Sequence, residues 1–407
     1  GVFLNNNSSS NKDVITADAV KFGGGMGNIA RKPSDTDKEG NPVLPNFDVE
    51  PEISGYPRYT EGSRYWLQWA GFNDTIYSVN RNFTDYNDDY QSRGMWVNIL
   101  TDGSYLKPDR VGYNIPIDLS FAFHTDAGTT LTDSIIGTLA IYTRLSMDQD
   151  EYPYGVKRSI ARDYNDIVQT QIVDDIRALF EPEWSRRGMW DKAYSESRSP
   201  EVPAMLLELL SHQNLADMRY GLDPAFRFVV SRSIYKGMLK YLSWLKDTPY
   251  IVQPLPVRAF SAEITESGKK YQAQLKWEPR VDRLESTANT RSYMLYTRVD
   301  DGGFDNGVPV NGNSFSVNIE PGKIYSFKVT AVNEGGESFP SEILSVGLAD
   351  SRSTRVVAKG KTVLVVNNFD RVAAPSSFAT RDSTYGGFLD HIDRGVPYIY
   401  DISHIGS

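Results

Sequence analysis

The sequence predicts an α/β domain built on a mostly parallel sheet with helices on both faces, followed by an all-β domain. Three observations predict it. Between about residues 56 and 248, strand-length apolar runs alternate with long runs of 3.6-residue period. After a Pro-containing linker at Thr248–Pro256, residues 257–349 switch to the two-residue alternation of strands. At 407 residues the chain is also too long for one ordinary domain.

Composition narrows the function classes. With 40% hydrophobic and 12% aromatic residues there is enough apolar surface for real cores. A formal charge of -9, with no Lys/Arg cluster, argues against nucleic acid, which needs a basic surface to neutralise phosphates. The absence of cysteine excludes disulfides, thiolate metal sites and a Cys nucleophile. No apolar run approaches the ~18–20 residues of a membrane span. The polar, Asn/Ser-rich opening at 1–12 is not a signal peptide, so a mature or trimmed product is expected.

The elements follow in order. Val14, Ile15, Val20 and Phe22 flank a polar turn and read as a hairpin, closed by Gly23, Gly24 and Gly25. Residues 31–55, rich in Pro, Asp and Gly, read as a junction loop. Tyr65, Trp66 and Trp69 have helical spacing that stops at Gly71. Thr75–Val79 is expected as a short strand and Asp85–Trp96 as a helix. Ile117, Leu119, Phe121 and Phe123 alternate with polar or small residues in a strand, and Ile135–Leu145 is another. A long helix runs from Ile160 to Leu179, an apolar strand through Met205–Leu210, and a last helix over Phe226–Leu245.

In the all-β part, Leu275, Trp277, Tyr293, Leu295, Tyr325, Phe327 and Val329 are the expected inward positions. Trp277, with Tyr325 in the later run 323–333, resembles a fibronectin type III domain over 253–349, implying a β-sandwich. That resemblance speaks to fold and not to function. Beyond 352, Thr362–Val366 is expected as a buried strand and Val396–Tyr400 as another, the start of a further α/β unit over 352–407.

The chemistry-bearing residues are few. Of four histidines, His124 directly follows the Ile117–Phe123 strand, and ligands in open α/β sheets gather beyond the carboxyl ends of strands. His212 reads as a loop residue, and His391 and His404 fall in the tail. Glu208 is a lone carboxylate in the apolar run Met205–Leu210, which is costly unless paired, metal-linked or protonated. Each also has a plainer reading: a hydrogen-bonded strand-end histidine, and a structural paired carboxylate.

The segments Arg187–Met189, Pro203–Leu209, Asn214–Asp217 and Leu222–Phe226 resemble the C-terminal half of the zinc-dependent N-acetylmuramoyl-L-alanine amidases. The resemblance covers residues 56–248 and implies Zn²⁺ as cofactor. It implies His124 as a metal ligand, Glu61 in the segment Arg58–Gly62 as another, and Glu208 as the catalytic acid/base. Arg81, with Asn80 before it, resembles the family's Thr-Arg element and is a substrate-binding candidate; Arg187 is a second, or else a loop-fixing residue. The implied chemistry is a metal-bound water whose proton passes to Glu208 as it attacks an amide carbonyl.

This sequence departs from that family in one respect: no histidine precedes His124, where the family has its first zinc ligand. One account takes the run 22–27 as an altered form of that ligand's loop, which would mean a dead enzyme. The preferred one is that residues 13–22 resemble the closing strands of a golvesin-like β module, occupying 1–30, so the first strand and its His are expected upstream of Gly1. The expected function is a secreted, periplasmic or cell-surface amidase acting on peptidoglycan, associated with an absent N-terminal segment. Two other readings stay open. One is a non-catalytic cell-wall or glycan-binding protein on an amidase scaffold. The other is a polysaccharide lyase, because similar multidomain secreted proteins are labelled xanthan lyases.

Overall fold

The protein is described by a computed structural model, which covers residues 62–81, 84–130, 132, 134–267, 270–350, 363–365, 376–379, 381 and 386–389. The chain divides into two compact units between Leu245 and Lys246.

The first unit contains α1 (Ser63–Ala70), α2 (Asp74–Tyr77), α3 (Asp85–Thr101), β1 (Ser120–Asp126), β2 (Leu139–Tyr142) and α4 (Ile160–Leu179). It continues with β3 (Trp190–Asp191), α5 (Ser195–Arg198), β4 (Ala204–Ser211), α6 (Leu215–Gly221) and α7 (Pro224–Lys246). Helix α1 stops where the sequence places its end, at Gly71 with φ 88°, a left-handed cap that glycine adopts without steric cost. The strand expected over Thr75–Val79 is instead α2. The Asn73 side chain accepts the Thr75 backbone N–H at 3.0 Å and starts a helical turn, which outweighs the β-propensity of Thr75 and Ile76. Arg81 therefore follows a helix and not a strand, with φ 57°.

The sheet has order β1-β4-β2-β3, and two of its three pairings are parallel. Pairs β1/β4 and β2/β3 are parallel, but β2/β4 is antiparallel. Among the described residues between β1 and β2 there is no helix, and a parallel return needs a crossover. Strand β2 is also shorter than the Ile135–Leu145 run. At Gly137, φ is 77° and a Cβ would collide with the Ser185 carbonyl, so the backbone turns there before pairing begins.

One sheet face, Met205, Leu207 and Leu209, packs with Val168, Ile172 and Ile176 of α4 and Phe226 and Val230 of α7 in the main core. Alternation places Leu206 on the other face, where it clusters with Leu139 and Ile141, and α5 lies against β1, β2 and β4. Asp175 and Lys236 form a buried ion pair at 2.7 Å between α4 and α7, with Ser233 also donating to Asp175.

The second unit holds β5 (Arg258–Ser267), β6 (Lys270–Glu278), β7 (Ser292–Val299), β8 (Val308–Val310), β9 (Ser314–Ile319), β10 (Ile324–Asn333), β11 (Gly336–Glu337) and β12 (Leu344–Gly347). They form two antiparallel sheets, β5-β6-β9 and β11-β10-β7-β8, with β12 also on β10. One core joins residues of both sheets, and all seven positions expected to face inward are buried. Trp277 packs edge-on against Tyr293 and Phe260, with ring centroids 5.4 and 6.3 Å apart.

Further on, β13 (Ser376–Ala379) and β14 (Gly386–Leu389) pair antiparallel. Val363, Leu364 and Val365 are exposed and outside any strand, contrary to the buried strand expected there. The hairpin at Val14–Phe22, the strand at Val396–Tyr400, and His391 and His404 lie outside the described residues. Among the described residues no helix is long and apolar enough to cross a membrane.

Candidate functional site

The site forms where β1 and β4 end side by side. Parallel pairing puts His124 directly opposite Glu208, so both side chains leave the same sheet face at its carboxyl edge. The register then slips: the next pair is Asp126 with Ser211, leaving Leu209 and Leu210 of β4 against Thr125 of β1. A bulge of this kind ends regular pairing and re-aims the side chains around it.

Glu208 is half-buried, and its Oε2 is buried without a hydrogen-bond partner among the described residues. Burial pushes its carboxyl above the ordinary carboxylate value, with the charge of His124 opposing and that of Asp126 adding. His124 is held by a residue that the sequence did not single out. Its Nε2 lies 2.8 Å from Oε2 of Glu196 on α5. The other oxygen of Glu196 accepts from Arg93 Nη1 at 2.8 Å, and Arg93 Nη2 donates to Asp89 at 2.8 Å. The Glu196 hydrogen bond raises the His124 pKa against the effect of burial. Burial works to raise that of Glu196, but the bonds from His124 and Arg93 win and hold it below its ordinary value.

Arg187 reaches the same edge. Its Nη1 donates to Asp126 at 2.5 Å, and its guanidinium stands 5.6 Å from the ring centroid of Trp190, which is 42% exposed. Gln169 fixes this segment by donating to the carbonyls of Thr138 and Arg187, both at 2.9 Å. Below β4, the buried carboxylate of Asp217 accepts the backbone N–H groups of Ser211, Ile136 and Gly137 at 2.8, 3.0 and 3.3 Å. Asn214 caps α6 by accepting the Asp217 N–H at 2.9 Å. The Asn214–Asp217 segment thus clamps two loops around the site.

The structure brings together His124, Glu208 and Arg187, and adds Glu196, Arg93 and Asp126. Arg81 sits in the turn after α2, its N–H donating to the Ser78 carbonyl at 2.7 Å. Glu61 lies outside the described residues. Glu196 escaped sequence analysis because it sits in a polar stretch without period, and its partners are 72 and 103 residues away. A cavity of about 350 Å³ adjoins Glu196, walled by Trp66, Leu67, Trp96 and Phe121 with Arg93 at its polar end.

The donor chemistry can be tested against the implied zinc. Among the described residues no group of three or more His, Asp or Glu side chains is arranged to hold a metal ion. His124 Nε2 faces a carboxylate instead. The described residues alone do not make a zinc site.

No protein-family model matches the chain, and no curated protein matches it. Among solved structures it is similar to an N-acetylmuramoyl-L-alanine amidase from Clostridium difficile at 16% identity and TM-score 0.27, over 38% of this chain and 65% of that one. A second, an N-acetylmuramoyl-L-alanine amidase of Nostoc punctiforme, matches at 15% identity and TM-score 0.24, over 30% of this chain and 58% of that one. The twitchin kinase region from C. elegans matches at 23% identity and TM-score 0.21, over 26% of this chain and 18% of that one. The chain spans less than two thirds of each of these structures.

Proposed function

We propose that the first unit is the acid/base part of a peptidoglycan amidase, a hydrolase for the amide between the lactyl group of N-acetylmuramic acid and L-alanine. The observation that carries this reading is the pairing of Glu208 with His124, with one Glu208 oxygen buried and unpartnered among the described residues. Desolvation that raises a carboxyl toward the working pH suits a group that must take and return a proton. Glu208 accepts a proton from water as the water oxygen bonds to the amide carbon. The C–N bond then breaks, and Glu208 returns that proton to the leaving nitrogen. The products are a muramoyl carboxylate and a peptide with a free amino-terminal L-alanine.

The half-exposed Trp190 is the proposed contact for a sugar, and Arg187 beside it, together with Arg81, for the peptide. Zinc is given no step here, since of the ligands the resemblance implies only His124 lies among the described residues. The second unit is proposed as a fibronectin type III-like spacer, supported by its two antiparallel sheets around Trp277. A cell-wall substrate would place the protein outside the cytoplasm.

A second reading, a non-catalytic glycan-binding scaffold, draws support from His124 Nε2 being engaged by Glu196. Incubation with a purified disaccharide-tripeptide muropeptide separates the two. The amidase reading expects free disaccharide and free tripeptide by mass spectrometry. Recovery of intact muropeptide that nevertheless binds would overturn it in favour of the scaffold.

A further inference from the structure

Glu196 is a costly residue to keep where it is. Its side chain is 14% exposed on a one-turn helix against the sheet, where an apolar side chain would pack without a desolvation penalty. It is held by two partners from elements distant in the chain. Oε1 takes Arg93 of α3 and Oε2 takes His124 of β1, so neither oxygen is shared. Arg93 is itself braced, by Asp89 at 2.8 Å and by Ser63 Oγ at 3.3 Å, and Asp89 further accepts the Arg64 backbone N–H at 3.0 Å. The guanidinium is thereby fixed before it meets Glu196.

A carboxylate tied to arginine can only accept, so the hydrogen between Glu196 and His124 belongs to Nε2. In the neutral imidazole, Nδ1 then carries the lone pair. Among the described residues Nδ1 takes no hydrogen bond, and the side chain is 32% exposed.

We propose that Glu196 is a positioning residue that fixes the tautomer and ring orientation of His124, making Nδ1 the nitrogen His124 presents to a ligand beside Glu208. The inference rests on the reading of this edge as a hydrolytic site for its kinetic consequence only. The tautomer itself is independent of turnover. Partners that orient a metal-ligating imidazole through its other nitrogen cost about 10–100-fold in affinity or activity when removed, and an effect of the same scale is expected for His124.

The test uses the full chain labelled with ¹⁵N at histidine, with His124→Gln to assign the His124 resonances. At a pH about two units above the ordinary imidazole value, the wild type is expected to show His124 wholly as the Nε2–H tautomer. Glu196→Ala is expected to give a tautomer mixture, and Glu196→Gln, whose single carbonyl must serve both Arg93 and His124, a state between. On the muropeptide, Glu196→Ala is expected to lose about 10–100-fold in kcat with KM within about threefold. An unchanged tautomer in folded Glu196→Ala would overturn the proposal, as would a wild-type His124 protonated at Nδ1. If the wild type cleaves no muropeptide, the function proposed above fails, and the tautomer still decides this one.

Discussion

Glu208 and His124 face each other across two parallel strands, and the residue that fixes His124 comes from neither strand. Glu196 approaches from α5 and brings Arg93 of α3 with it. The sheet therefore supplies the pair while the helices supply its orientation, a division that makes the carboxyl and the imidazole separately testable.

Glu208 should trade stability for function. A buried carboxyl oxygen without a partner is a standing penalty of about 1–3 kcal/mol. Glu208→Leu, which removes the polar group and matches its apolar neighbours, should raise the thermal midpoint by about 2–4 °C. Differential scanning calorimetry checks this; a lowered midpoint would mean that the carboxylate has a stabilising partner.

Asp217 holds the loops around the site through three backbone N–H groups. Asp217→Ala should cost about 3 kcal/mol, since bonds to a charged group contribute about 1.5–3 kcal/mol each and are only partly replaced by water. Amide exchange should accelerate at Ile136, Gly137 and Ser211 before it does so in α4. Equal acceleration everywhere would contradict the local clamp.

The Asp175–Lys236 pair gives a third expectation. Breaking it on one side, with Lys236→Met, leaves a buried carboxylate and should cost about 3–5 kcal/mol. The double replacement Asp175→Leu with Lys236→Met should recover most of that loss. Urea unfolding of the three variants measures the difference.

Acid should loosen the segment that leads into β4. Glu201 accepts from Lys107 at 2.9 Å and Arg110 at 2.5 Å. Burial works to raise its pKa, but these bonds outweigh it and the carboxyl is held below its ordinary value. Its stabilising contribution is therefore complete above the unfolded-state value of about 4.3 and is lost as pH falls through the lower folded value. Glu201→Gln should show a shallower loss of stability below about pH 4.3 than the wild type. Parallel curves would contradict the assignment.

What the sequence made legible was local. The 3.6-residue period over Ile160–Leu179 is α4 from end to end, and Gly71 closes α1. The inward set of the second unit, from Leu275 to Val329, is read correctly because period-two alternation and burial follow from one geometric cause. The misread elements depended on a neighbour. Thr75–Val79 looks like a strand until Asn73 folds back as a cap. Strand β2 runs opposite to β4, and its own residues carry no information on that direction. At the site, His124 and Glu208 stood out because each is a polar residue in an apolar strand. Glu196, Arg93 and Asp89 did not, since charged residues in helices and loops are ordinary until α3 and α5 are packed beside β1.

The most direct test of the central claim is kcat/KM of Glu208→Gln on the disaccharide-tripeptide muropeptide, with muropeptide affinity measured on the same samples. A positioned acid/base group contributes about 10²–10⁴-fold. The account predicts a fall of that size with affinity within about threefold of wild type. Cleavage by Glu208→Gln at the wild-type rate would contradict it.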